Sequence, residues 1–121
     1  NKPHYVLLAP ARGDYQVAVV TNENTVRSDI GIKVMANYDK QRKVPLGTEQ
    51  AYPYRGSGVV LYNFGNPWPA AGNQHPQDSF GDPHSKPRRL DAHSQQMVNF
   101  FRTGEIIDVC GGDGCTPTLA R

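Results

Sequence analysis

The stretch Leu90–Cys115, LDAHSQQMVNFFRTGEIIDVCGGDGC, carries the clearest helix signal in the chain, a short apolar strand and both cysteines. Asp91 is placed to act as an N-cap, accepting hydrogen bonds from amides that a first helical turn leaves unpaired. Met97, Val98 and Phe101, with Leu90 and Ser94 behind them, fall at the spacing of one apolar helix stripe. Arg102 suits the negative end of a helix dipole, and Gly104 supplies the left-handed residue at which helices end. These signals predict a helix over Ala92–Arg102. Glu105–Val109 follows, where Ile106 and Ile107 predict a short buried strand. The helix has to lay its stripe on another layer, and the rest of the chain offers sheet.

Working outward, Cys110 and Cys115 enclose Gly111-Gly112-Asp113-Gly114, a loop flexible enough for a disulfide over so short a span. Such a bond pins a local turn and implies an oxidising compartment: periplasm, cell surface or secretion. A redox pair wants two intervening residues rather than four, and a zinc knuckle wants a second cysteine pair that the chain lacks.

The chain has 121 residues, 37% hydrophobic, with 12 glycines, 10 prolines and a net charge of +2. That length predicts a single domain over 1–121, and the composition favours short strands and turns. No apolar run approaches the ~18 residues of a membrane span, and a charge this mild makes nucleic acid an unlikely partner. Beginning at Asn1 with no charged-then-apolar leader, the sequence reads as a mature segment whose targeting signal is gone.

Tyr5–Ala9 and Gln16–Val20 are apolar runs joined by a turn-rich connection, which predicts a hairpin. The connection holds Arg12-Gly13-Asp14, ordinary turn chemistry and also the tripeptide that adhesive ligands present to integrins. Thr21–Asp29 reads as a polar connector. Ile30, Ile32 and Val34 alternate with Gly31, Lys33 and Met35, the pattern of a half-buried strand. Lys40, Arg42 and Lys43 read as a solvated loop tip. Tyr52, Tyr54 and Arg55 are candidate binding residues, because aromatics beside an arginine stack on sugars or bases. Val59–Phe64 is the best strand of the first half, bounded by glycines and Pro67. Residues 65–89 hold five of the ten prolines and no secondary-structure period. Long loops of this kind inside a domain are usually functional or disordered, and this one contains the sole tryptophan, Trp68.

His75, His84 and His93, with Asp78 and Asp82 between them, are acceptable metal ligands by type. None lies at the spacing that puts two ligands on one helix face, and HExxH, GxSxG, Walker and GxGxxG motifs are absent. No cofactor or metal is therefore expected. The passage Asn99–Val109, NFFRTGEIIDV, resembles the helix-end, Thr-Gly, strand passage of the sugar-binding B subunits of pentameric bacterial toxins. That resemblance covers eleven of 121 residues and implies a small OB-type barrel crossed by a helix. The chain departs from the pattern by ending soon after Cys115.

The sequence thus predicts an α+β domain, predominantly antiparallel β (a small sheet or barrel), with one C-terminal-half helix packed on it. Its core should contain Val17, Val19, Ile32, Val34, Val60, Met97, Phe101 and Ile106. The expected role is a non-catalytic secreted or surface module for recognition or assembly, binding an extracellular receptor, a glycan or copies of itself as a homo-oligomer or as a filament or capsid subunit. Trp68, Tyr52, Tyr54, Arg55 and, for adhesion, Arg12 and Asp14 are the binding candidates. The alternative is a small secreted His-dependent hydrolase or nuclease, with or without the assistance of a metal.

Overall fold

A computed structural model of the chain describes residues 4–28, 31–36, 38–39, 42, 44, 47–69 and 81–111. Its elements run β1 (Leu7–Leu8), α1 (Val19–Ser28), β2 (Lys33–Met35), β3 (Thr48–Gln50), β4 (Tyr54–Arg55), β5 (Gly58–Val59), a 3-10 turn at Pro87–Arg89, α2 (Asp91–Thr103) and β6 (Glu105–Ile106). Four strands form one sheet in the order β1-β5-β2-β3, and every pairing in it is parallel. A separate pair, β4 with β6, is antiparallel, setting Tyr54 opposite Ile106. The architecture is therefore α/β with a mostly parallel sheet, and neither the predominantly antiparallel sheet nor the barrel expected from the sequence.

The physical reason lies in how each strand is covered. Val59, Val60, Leu61 and Tyr62 are all buried, a continuous apolar run of the kind found where a parallel strand has layers on both faces. Alternate residues of that run serve different layers. Val59 and Leu61 pack with Val34, Ile32, and Val19 and Val26 of α1. Val60 and Tyr62 pack with Met35, Ile106, Leu90 and Phe100 of α2. Leu8 joins the first cluster, and Leu7 and Ala9 the second. So α1 covers one face of the sheet and α2 the other.

The expected N-terminal hairpin is replaced by a strand and a helix. Tyr5–Ala9 contributes β1, which continues beside β5 through amide donation from Val60 to Leu8 O and from Tyr62 to Pro10 O, both at 2.9 Å. Gln16–Val20 is no strand: α1 begins at Val19 and runs through most of the expected Thr21–Asp29 connector. Val17 is 43% exposed and is not a core residue.

The C-terminal helix is where the sequence places it, spanning Asp91–Thr103 and ending on Gly104 in the left-handed region. Two details differ. Leu90 is the N-cap residue, with no side-chain cap bond, and Asp91 lies inside the first turn. The buried face is His93, Gln96 and Phe100, while Phe101 is 75% and Val98 49% exposed, and Met97 is only half-buried. Two polar residues occupy the inward stripe because the sheet supplies partners for them. Tyr62 Oη donates to Gln96 Oε1 at 3.1 Å, Gln96 Nε2 donates to Ile107 O at 3.1 Å, and the His93 ring meets Tyr62 edge-on at 5.3 Å. Val19, Ile32, Val34, Val60 and Ile106 are buried as expected.

Candidate functional site at the carboxyl edge of the sheet

The chain leaves β1 toward α1 on one face and leaves β5 toward α2 on the other. Adjacent parallel strands whose connections diverge in this way open a crevice outside their carboxyl ends, where open α/β sheets hold their ligands. The connections after β1, β2 and β5 converge there.

From β1 comes the turn closed by amide donation from Asp14 to Ala11 O at 3.2 Å. Gly13 has φ +73°, and a Cβ on it would stand 2.7 Å from Asn66 Cβ and 2.9 Å from Pro67 O. Only glycine lets the β1 and β5 loops approach so closely. Arg12 donates through Nε to Asn66 O at 2.6 Å and through a terminal nitrogen to Asp39 Oδ2 at 3.4 Å. Asn66, fully buried, donates from Nδ2 to Gly81 O at 2.9 Å.

Trp68 sits between these elements. Its indole N–H donates to Asp39 Oδ2 at 2.8 Å, its ring packs against the α1-side core, and the guanidiniums of Arg42 and Arg12 lie 4.4 and 5.6 Å from the ring centroid. Arg42 in turn donates to both oxygens of Glu23, at 2.5 and 2.7 Å. Glu23 is a buried α1 residue that also accepts from Tyr38 Oη at 3.1 Å. The hydrogen bonding to Glu23 raises the Arg42 pKa above its ordinary value. Burial first, and then the Glu23 charge, push the Tyr38 phenol far above the ordinary tyrosine range.

A second polar group borders the first. The Asp14 carboxylate, 7% exposed at its side chain, lies 2.9 Å from His84 Nδ1 and accepts from the Gln16 and Val17 amides at 2.8 and 2.9 Å. A carboxylate facing Nδ1 places the proton on that nitrogen. Asp82 fixes the backbone around the pair, accepting from the His84 amide at 3.0 Å, the Tyr15 amide at 3.2 Å and Gln16 Nε2 at 2.8 Å. Burial works against the Asp82 charge, yet those three bonds hold its pKa below the ordinary carboxylate value.

Of the binding residues expected from the sequence, the edge brings together Arg12, Asp14 and Trp68. The Arg12-Gly13-Asp14 turn is packed into this network. Tyr52 and Tyr54 belong to the opposite, α2-side cluster, and Arg55 is an exposed residue of the β4–β6 pair, so these three stand apart from Trp68. His84 pairs with Asp14, whereas His93 lies under α2, where burial lowers its pKa. His75 and Asp78 lie outside the described residues, as do Lys40 and Lys43. Arg42, expected at a solvated tip, is instead the hinge between Glu23 and Trp68. Among the described residues no group of three His, Cys, Asp or Glu side chains can hold a metal ion, and no helix is long and apolar enough to cross a membrane. No cysteine among them is free; Cys115 lies outside them, and the Cys110–Cys115 bond stands as a proposal.

Sequence reasoning missed Glu23, Asp39, Arg42 and Asn66. Their partners are remote in sequence, and no local pattern links them. The fold and this edge define an α/β domain with a prearranged arginine–tryptophan–carboxylate cluster at a sheet switch point. No protein-family model, curated protein or solved structure matches the chain.

Proposed function

We propose that this chain is a non-catalytic recognition module acting outside the cytoplasm, and that it binds its ligand at the carboxyl edge of the parallel sheet. The observation that carries this reading is Trp68: a half-buried indole oriented by Asp39 and flanked by Arg42 and Arg12, at the point where three strand connections meet. Side chains already locked by packing and hydrogen bonds lose little entropy when a ligand arrives.

The charges favour a neutral, hydroxyl-rich ligand such as a glycan. Arg12 faces Asp39 and Arg42 faces Glu23, so an anion would meet cations that are already matched. A sugar hydroxyl both donates and accepts, and suits such donor–acceptor pairs beside an aromatic face. An extracellular setting is consistent with a Cys110–Cys115 disulfide. Screening a panel of neutral and acidic oligosaccharides against the chain and its Trp68→Phe and Arg12→Gln variants tests the reading.

One observation favours a second reading. An almost buried aspartate holding the Nδ1 of a part-exposed histidine is the arrangement that prepares Nε2 as a general base. The Asp14–His84 pair would then serve a His-dependent hydrolase. Loss of any detected ester or phosphodiester hydrolysis in His84→Gln, with binding at Trp68 intact, would select it.

A further inference from the structure

The outer edge of β1 differs from every other exposed part of the sheet. β1 and β3 are the terminal strands. β3 is polar, Thr48-Glu49-Gln50, with a charge at its centre, the common protection of a free edge. The stretch Tyr5–Ala9 carries no charge at all, and Tyr5 and Val6 are exposed at 47% and 42%.

The backbone of that stretch is oriented for further pairing. Val6, Leu8 and Pro10 each present their carbonyl to β5, accepting from the Gly58, Val60 and Tyr62 amides at 2.9 Å. In a parallel ladder the intervening residues then turn their N–H and C=O outward, which here means Tyr5, Leu7 and Ala9. Leu7 and Ala9 of this stretch pack against the cluster that holds Phe100 of α2. Asn99 and Gln96 donate to Glu105 O and Ile107 O on one side of the helix, so the flank bearing Met97 and Phe101 is turned to the other. The Tyr5 ring lies against Gly104, at the end of α2, within 2.8 Å of where a Cβ would stand. Phe101, 75% exposed, lies one helical turn before Gly104.

The geometry points to a two-fold interface between two copies of this chain, formed by antiparallel pairing of β1 with β1 about Leu7 and flanked by Phe101 of each copy. A second copy is the fitting occupant because an isologous interface sets each residue near its own equivalent. Across β1 that brings together only uncharged groups, whereas across β3 it would oppose Glu49 to Glu49. Centred on Leu7, the pairing sets Tyr5 opposite Ala9 of the other copy and forms about six inter-chain hydrogen bonds. The interface lies at the opposite end of the strands from Trp68, so a dimer would present two carboxyl edges, and it stands or falls independently of the recognition reading.

Sedimentation velocity of the full chain from about 0.5 to 100 μM tests the inference. A monomer–dimer equilibrium is expected within that range. Ala9→Pro removes an outward N–H that β5 does not use, and Phe101→Glu puts a charge on the flank; each should move the dimerisation midpoint at least about tenfold upward. Glu49→Ala, on the other edge, should leave it in place. Circular dichroism of each variant establishes that it is folded. A wild-type chain that stays monomeric at 100 μM overturns the proposal, and so does a dimer that survives both substitutions in folded protein.

Discussion

Replacing Glu23 with glutamine tests whether α1 organises the carboxyl edge. The wild-type carboxylate, 5% exposed, accepts two bonds from Arg42 and one from Tyr38. Glutamine keeps the volume and one acceptor oxygen, but its amide N–H₂ faces the guanidinium and the charge-assisted pair is lost. Removing one partner of a fully buried ion pair costs about 3–5 kcal/mol. Arg42, however, keeps 34% of its side chain in solvent and can rehydrate, so the loss approaches that of one hydrogen bond to a charged group, about 2 kcal/mol. For a domain of this length that corresponds to a fall in Tm of about 6–10 °C. Because Arg42 also lies 4.4 Å from the centre of the Trp68 ring, the only tryptophan in the chain, its release should alter indole emission as well. Calorimetry and fluorescence on the two proteins read both effects. A Tm within about 2 °C of wild type with unchanged emission would refute the coupling of α1 to the edge.

Further outcomes follow from the same packing. Gly13→Ala puts a side chain on a left-handed backbone and its Cβ against Asn66 Cβ and Pro67 O, and should cost about 2–4 kcal/mol in urea denaturation. Phe100→Ala should cost about 3–5 kcal/mol, while Phe101→Ala, compared where the chain is monomeric, should stay within about 0.5 kcal/mol. Burial disfavours the charged form of His93 in the folded state and lowers its pKa, so the unfolded chain binds more protons as pH falls below about 6.5. Stability should therefore decline from that pH downward, and His93→Gln should flatten the decline in denaturation curves taken between pH 7 and 5.

The second half of the fold is more legible in the sequence than the first. Helix, Thr-Gly turn and strand from Asp91 to Ile106 are marked by local signals, Gly104 in the left-handed region and a buried Ile106, although the cap expected at Asp91 and the stripe expected at Val98 and Phe101 are not what holds the helix. The inward face of α2 is not legible, because His93 and Gln96 are polar and the groups that receive them, Tyr62 and Ile107, are brought to them by the fold. The first half misleads for a different reason. Parallel strands pair through contacts distant in sequence, so two nearby apolar runs are naturally read as a hairpin. The unbroken runs Tyr5–Ala9 and Val59–Tyr62 did hold the opposite signal, since a strand covered on only one face alternates. The helix α1 buries only Val19, Glu23 and Val26, and with a charged residue at the centre of its stripe it imitates a polar connector. At the candidate site, Trp68, Arg12 and Asp14 stand out by residue type alone. Glu23, Asp39 and Arg42 acquire meaning only through side chains that the sheet carries to one edge.

The measurement that bears most directly on recognition at the carboxyl edge is oligosaccharide binding by the immobilised chain, read beside Trp68→Phe and Arg12→Gln. The phenylalanine keeps an aromatic ring but removes the N–H that Asp39 orients, and the glutamine removes the guanidinium that ties the β1 loop to Asn66. Saturable binding of a neutral member of the panel is predicted, weakened at least about tenfold in each variant while thermal melts show both to be folded. No binding across the panel, or binding untouched by both substitutions, would contradict the assignment.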